Sequence, residues 1–383
     1  MLSKIVSYKN NVSTFYFMKK YIIYIGLPFL ILFGSCGIYN NYYSVNSLIE
    51  TGNDKPKNMV QGKVVFTTTY AIENLHATDK YLVVVQRCND SIFNIIDTKT
   101  FQSVACFGQV GHAKNEFIQP PLISYILSGK DDKYYLYVQE MNQMTKIIDL
   151  EESVIQGKCI VKEIIKEKVG ELGIFYEKFH LSNNNTFVYK SISYQDSREK
   201  ERKKPEFYIE SGNERVMEWD IFPAPIYWDE PNLYESEYTG RVYVSPNQTK
   251  AVFMMNMMDV ITIFDFEKNK TIGIINHDNH SFDYYDGNVT SKNWEEKMYI
   301  HNMTACVGNN RFFVHKDSRL YNDMMHNKGN HKPLVEIYDW EGKRLSSFMV
   351  DEAFSKIAYQ QSTNTLFAKS LWNNVIYKYQ LRK

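Results

Sequence analysis

Near the C-terminus the runs KIAYQ (356–360), LFAKSL (366–371) and VIYKYQL (375–381) are separated by Ser362-Thr363-Asn364 and by Asn373-Asn374. Short runs rich in apolar and aromatic residues, bounded by Asn and Ser breaks, read as β-strands joined by tight hairpins. Three strands alone leave an open sheet edge, a template for unwanted pairing. The missing fourth strand has one candidate, KVVFTTT (63–69), an unclaimed run that precedes the first complete group of strands. Pairing 63–69 with 375–381 would fill the group and join the two ends of the folded chain.

Between these ends the sequence repeats. From Ala71 onward, strand-like runs fall into groups of four. The third run of several groups ends in a large apolar residue followed by Asp: Ile96-Asp97, Ile148-Asp149, Phe264-Asp265 and Tyr338-Asp339. Trp219-Asp220 marks an intervening group roughly, although it falls in a fourth run. Dividing 62–381 into six units gives about 53 residues each, slightly above the usual propeller repeat. Aromatic residues reach 15% of the chain, with Tyr 29, Phe 23 and Trp 5, which favours strands over helices. The expected fold is all-β: a six-bladed β-propeller of four-stranded antiparallel blades, its last blade closed by the N-terminal strand.

Loop lengths separate the two faces of such a ring. In a four-stranded antiparallel blade the first-to-second and third-to-fourth turns share one face, and the remaining connections share the other. Short polar turns fall on the first face, among them 78–80, 98–100, 182–185, 246–249 and 362–364. The long connections 108–121, 195–204, 223–239, 277–297 and 318–332 all fall on the second. Long loops gathered on one face mark it as the place where function varies.

After the first group stands Phe107-Gly108-Gln109-Val110-Gly111, followed by Glu116-Phe117 and Pro120. With the repeat architecture, this stretch resembles the Gly-rich junction of the TolB-like six-bladed propeller lipoproteins of Gram-negative bacteria. The sequence has Ala113 and Lys114 where that family often carries Gly-Pro. The resemblance implies a fold and not a reaction, because propellers host many unrelated activities.

The N-terminus carries an address. Lys19 and Lys20 precede thirteen uncharged, mostly apolar residues (21–33), and Gly34-Ser35-Cys36 follows. As a helix, 21–33 would span about 20 Å, short of the hydrocarbon core, so a signal peptide fits better than a permanent span. Small residues before a cysteine resemble the lipobox of bacterial lipoprotein precursors, which implies cleavage before Cys36 and acylation of its thiol. The departure is Phe33, where a smaller aliphatic residue is commoner. The expected organisation is an upstream extension and signal peptide at 1–35, a lipidated tether at 36–59, and the propeller at 60–383. Acidic residues do not crowd the positions after Cys36; in that resemblance their absence favours an outer-membrane anchor facing the periplasm. Cys88, Cys106, Cys159 and Cys306 remain, without a CxxC spacing, and disulfides and buried thiols are both open.

Candidate chemistry lies in the long loops. Tyr227 and Trp228 on one, with Tyr284, Tyr285 and Trp294 on another, offer aromatic faces for sugar stacking or protein contact. Capping of blade ends is the plainer use of such rings. His277 and His280 flank Asp278, and Asp283 and Asp286 follow, a set that suits a metal as well as a solvated polar loop. The methionines at 254, 255, 257 and 258 read as core filling rather than copper ligands. No Gly-x-Ser-x-Gly elbow or phosphate-cradling Walker loop is present, and no motif calls for a cofactor.

Lys and Arg total 44 against 44 Asp and Glu, which argues against a nucleic-acid binder held by a strong positive field. The expected function is a membrane-anchored module that binds an envelope protein, a small molecule or a glycan through its long-loop face, at Tyr227, Trp228, His277, His280, Tyr284, Tyr285 and Trp294. The alternative is a carbohydrate-active or metal-assisted hydrolase or lyase with its site at the channel mouth.

Overall fold

The computed structural model describes residues 43–52, 56, 58–88, 90–121, 123–129, 133–140, 144–166, 176–191, 204–212, 214–222, 240–276, 297–326 and 332–381. Strands β1 (Ser47–Thr51), β2 (Met59–Val60) and β3 (Lys63–Thr67) open the chain. The first blade is β4 (Ile72–Ala77), β5 (Tyr81–Cys88), β6 (Ser91–Asp97) and β7 (Ser103–Gln109). The second is β8 (Ile123–Ser128), β9 (Tyr134–Gln139), β10 (Met144–Asp149) and β11 (Val161–Lys166), with helix α1 (Leu150–Gln156) between its last two strands. The third is β12 (Tyr176–His180), β13 (Asn185–Lys190), β14 (Glu206–Ser211) and β15 (Glu214–Trp219). The fourth is β16 (Gly240–Val244), β17 (Lys250–Met255), β18 (Val260–Asp265) and β19 (Lys270–Asn276). The fifth is β20 (Tyr299–Val307), β21 (Arg311–Leu320), β22 (Leu334–Asp339) and β23 (Arg344–Val350), with helix α2 (Tyr321–Met325) after β21. The sixth takes β24 (Phe354–Gln360), β25 (Thr365–Ser370) and β26 (Val375–Gln380), and β3 completes it in the order β24-β25-β26-β3. This is the expected six-bladed propeller, closed by the expected strand.

Closure is antiparallel, with Thr67 opposite Val375, Phe66 opposite Ile376 and Val64 opposite Tyr377. Asp351 locks it from the neighbouring blade: Oδ1 accepts from Gly62 N at 3.2 Å and from the Tyr379 hydroxyl at 2.6 Å. A Cβ on Gly62 would meet the Tyr379 ring at 2.5 Å, so only glycine lets the chain cross there.

Stacked sheets explain the uninterrupted apolar runs of the middle strands. In β5, Val83 and Val85 pack with Leu136 and Val138 of the second blade. Leu82 and Val84, pointing the other way, pack with Phe367 and Ile376 of the sixth. All four β5 residues have 0% exposure, and each such burial contributes about 1.5 to 3 kcal/mol. Between blades three and four the same role passes to rings: Phe207 stacks on Phe264 at 5.0 Å, and Trp219 meets Phe264 edge-on at 5.3 Å. Met254, Met255 and Met258 are buried, as core filling requires.

The recurring Asp at the end of the third strand is a turn device. Asp97 Oδ1 accepts from Lys99 N at 3.0 Å and Thr100 N at 2.8 Å, and Asp339 Oδ1 accepts from Glu341 N at 3.0 Å and Lys343 N at 2.8 Å. Asp265 receives Lys268 N at 2.9 Å. Such side-chain acceptors close a hairpin, and two of these turns also carry a non-glycine residue at positive φ, Phe101 at 58 and Asn269 at 49. In the third blade the corresponding strand ends at Ser211, and the Trp219-Asp220 pair belongs to the fourth strand, as its place in the sequence indicated.

Three features depart from the sequence reading. The face of tight turns also holds α1: Asp149 Oδ1 caps Glu152 N at 2.9 Å, and Gly157 ends the helix at φ 63. The stretch read as a tether contains β1, which pairs in parallel with β19, Ser47 opposite Ile272 through Thr51 opposite Asn276. Asn46 fixes that pairing by donating to Thr271 Oγ1 at 3.1 Å and accepting from Thr271 N at 2.7 Å. Likewise β2 lies parallel to β23. The connection expected from Ser318 begins later, because β21 runs to Leu320 and α2 follows.

The Gly-rich junction is a packing lock. Gly108 has φ +79, and a Cβ there would lie 2.6 Å from Phe93. Phe117 folds back edge-on against Phe93 at 5.3 Å, while Gly111 N donates to Phe117 O at 2.9 Å. Lys146 donates to Glu116 O, sits 4.6 Å over the Phe117 ring and pairs with Glu140 at 2.9 Å. Glu140 in turn accepts from Ile118 N at 3.1 Å. The junction is therefore pinned to the second blade by a buried charge pair.

Residues 43–44 and 220–222 belong to a small unit of their own. In its described part Ser44 N donates to Ile221 O at 2.9 Å, and the Tyr43 and Phe222 rings lie 6.1 Å apart. Cys106, Cys159 and Cys306 are free thiols, the last two buried. Among the described residues no helix is long and apolar enough to cross a membrane.

Candidate binding channel

The innermost strand of each blade has one edge without a strand partner, and the ring turns these edges toward its centre. Unpaired backbone N–H groups there need acceptors. Side chains from the preceding blade supply them: Tyr125 Oη accepts from His180 N at 2.9 Å, Glu177 Oε2 from Val242 N at 3.4 Å, and Tyr243 Oη from Ala305 N at 3.1 Å. The channel wall is thus built of polar groups carried by apolar strands.

Strands β4, β8, β12, β16, β20 and β24 line a cavity of about 150 Å3. Each begins at the end of the ring that receives the long connections and finishes at the tight-turn end. Glu177 and Arg241 stand second in their strands, and Lys356 stands third in β24, so the charges collect at the long-loop end. Ala77, Ile126, Val244, Val307 and Tyr359 occupy the other end, where they also border a second cavity of about 400 Å3. The wall runs from charged to apolar along the axis.

Arg241 is exposed to this space, and Glu177 and Lys356 are half-buried. Among the described residues no ion pair within 4.0 Å engages any of the three. Loss of bulk water raises the Glu177 carboxyl to about 7, against the pull of Arg241, the Val242 N–H and Lys356. The same desolvation, with Arg241 adding to it, lowers Lys356 to about 7, against Glu177 and Glu73. His76, lowered to about 3 by burial and then by Lys356, is a neutral imidazole with Nε2 2.8 Å from Ser124 Oγ. Asn74 Nδ2 donates to the same hydroxyl at 3.0 Å. Glu177 and Lys356, the two charged neighbours of Arg241, titrate near neutrality.

The seven long-loop residues expected at the site, Tyr227, Trp228, His277, His280, Tyr284, Tyr285 and Trp294, lie outside the described residues, as do Cys36, Asp278 and His331. His326 is described, exposed, with Nδ1 2.9 Å from Asn322 O. Among the described residues no group of three His, Cys, Asp or Glu is placed to hold a metal. Sequence reading passed over Glu177, Arg241 and Lys356. The available signal was a charged residue in the second or third position of the first strand in a group.

No family profile matches the sequence, and no curated protein matches it. Among solved structures the chain is similar to a Bacteroides fragilis protein described as exported, at 9% identity and TM-score 0.51, covering 88% of this chain and 100% of that one. The RRP9 WD40 repeats match at 8% identity and TM-score 0.42, over 84% of this chain and 97% of that one. The first likeness agrees with the propeller fold, and the fold suits a binding or interaction module.

Proposed function

We propose that this chain is a binding module of the bacterial cell envelope that holds its ligand or partner at the long-loop end of the propeller channel. One observation carries the reading: Glu177, Arg241 and Lys356, from three different blades, bring charges to one end of one cavity, and no ion pair engages them among the described residues. Unpaired charge in a confined, partly dry space is costly unless a ligand uses it, and perturbed groups in clefts mark functional sites. The connections from β15 to β16 and from β19 to β20 join the strands at this end, and they carry Tyr227 and Trp228, then His277, His280, Tyr284, Tyr285 and Trp294. In this reading those side chains add contacts around a ligand seated in the channel. The occupant is an envelope protein, a small molecule or a glycan.

Anchoring belongs to the same proposal. The lipobox-like Gly34-Ser35-Cys36, the resemblance of the 107–120 junction to TolB-like lipoproteins and the exported Bacteroides neighbour all support an envelope location. The propeller would occupy 60–383 and hang from Cys36, on the periplasmic side of the outer membrane. Cys36→Ala is expected to leave an uncleaved or soluble precursor, read by loss of detergent-phase partitioning. Unchanged partitioning in that variant would remove the anchor from the account.

An enzymatic reading has one observation behind it: Glu177 and Lys356, both on the wall of this cavity, titrate near neutrality, as a general acid and base require. Stoichiometric binding without turnover separates the two. The test of the binding reading is whether neutralising the three channel charges removes ligand-induced stabilisation.

A further inference from the structure

We infer that the channel takes a small amphiphilic carboxylate, one carboxylate head on a short apolar body, with the head between Arg241 and Lys356 and the body directed toward the tight-turn end. The inference rests on the binding reading above and adds the ligand class.

Charge sets the head. Among the described residues the cavity is lined by Arg241 and Lys356 against Glu177, with Lys369 and Glu73 acting on Lys356 from beside it, a set with one cation in excess that a monoanion balances. A dianion would meet the Glu177 carboxyl without a matching second excess cation. Arg241 offers the planar fork that fits a carboxylate, and Lys356 adds a point charge.

The apolar end sets the body. From Arg241 to Val244, and from Lys356 to Tyr359, three residues of strand carry the wall about 10 Å along the axis. Over that distance the lining changes from charged groups to the collar of Ala77, Ile126, Val244, Val307 and Tyr359. The fixed acceptors, Glu177 toward Val242 N and Tyr243 toward Ala305 N, are already occupied by backbone donors. Farther along the wall His76 and Asn74 bond to Ser124, and Thr304 to Tyr243, so the cationic groups without such bonds among the described residues lie at one end, which disfavours a ligand hydroxylated along its whole length.

Titration calorimetry of the full chain tests this with hexanoate, acetate, hexanamide and inorganic phosphate. Hexanoate is expected to bind about tenfold or more tightly than acetate, through burial of the added methylenes. Hexanamide and phosphate are expected to bind much more weakly than hexanoate. Arg241→Gln and, separately, Lys356→Gln are each expected to weaken hexanoate at least about tenfold, as loss of a charge-assisted bond requires. Among the described residues neither side chain has an ion-pair partner to orphan, so unliganded melting of both variants should stay close to the parent and confirm folding. Phosphate or acetate binding as tightly as hexanoate, no hexanoate binding at all, or hexanoate binding unaltered in Arg241→Gln would each overturn the carboxylate assignment. If a glycan or peptide instead binds and depends on Arg241, the carboxylate class fails while the binding reading stands.

Discussion

Deletion of residues 1–70 is expected to abolish cooperative unfolding. The deletion removes β3, the fourth strand of the last blade, and leaves β26 with an unpaired edge from Val375 to Lys378. It also removes Gly62, one of the two groups tied to Asp351, and uncovers Tyr379, which is fully buried. In that sheet β3 is the outer partner of β26, so among the described strands nothing else takes up the lost pairing. An opened ring exposes the faces that the sixth and first blades present to each other, with Leu75, Ala358 and Phe367 among them. A loss of that extent matches the whole stability of an ordinary domain, about 5 to 15 kcal/mol. Deletion of residues 1–57 should be milder, because it takes β1 from the edge of β19 and spares β2 and β3. Denaturant melts compare the two: a broad, low-amplitude transition for the first and a sharp, shifted one for the second. If both melt as the parent does, the ring closes some other way.

Lys316→Met is expected to destabilise the protein by about 3 to 5 kcal/mol. Lys316 Nζ lies 2.6 Å from Asp259 Oδ1 and 2.9 Å from Glu336 Oε2, and all three side chains have 5% exposure or less. Glu336 also receives the Tyr338 hydroxyl at 2.7 Å and pairs with Arg344 at 3.1 Å. Removing the central ammonium leaves two buried carboxylates facing each other. The sign of the pH dependence follows from the shifts. Burial alone would lift the Glu336 carboxyl, but Lys316 outweighs it and holds it below 4.5; its contribution is present above 4.5 and fades as pH falls through the lowered value. Burial alone would lower Lys316, but Asp259 and Glu336 outweigh it and raise it well above 10.5; its contribution is present below 10.5 and is lost in strong alkali. The gap between parent and variant should therefore be widest from about pH 5 to pH 10 and should narrow in acid. A gap of the same size at pH 3 and pH 7 would show that lost packing, and not the charge network, carries the effect.

The ring was legible because its signals are local or follow from strand count. Third strands ending in Asp mark hairpins whose carboxylates cap the next turn, and an incomplete last group beside an unclaimed first strand leaves one economical closure. The α1 helix had a readable signature, Asp149 before Leu150-Glu151-Glu152 with Gly157 after it, but the same Asp opens a hairpin in the other blades. The β1 strand had no such signature. SLIET is short, and its parallel partner begins at Ile272, so neither a turn nor a hairpin spacing announces the pair. The channel charges were hidden for a different reason. Glu177, Arg241 and Lys356 lie far apart in sequence, and only the circular order of the blades brings the starts of β12, β16 and β24 to one cavity. Sequence reading looked for chemistry in the long loops, whereas the described chemistry lies on the strands those loops enter.

The most direct measurement of the central claim is ligand-induced thermal stabilisation of the parent against the triple variant Glu177→Gln, Arg241→Gln, Lys356→Gln. A panel of small carboxylates, monosaccharides and dipeptides would be scanned against both proteins. Glutamine at 177 keeps an acceptor for Val242 N, so the unliganded variant should melt close to the parent. A ligand at 100 times its dissociation constant stabilises by about 2.7 kcal/mol, a shift of several degrees. The account predicts at least one compound that raises the melting temperature of the parent and leaves the triple variant unmoved. Ligands that stabilise both proteins equally would contradict it, because their site would then lie away from the charged end of the channel.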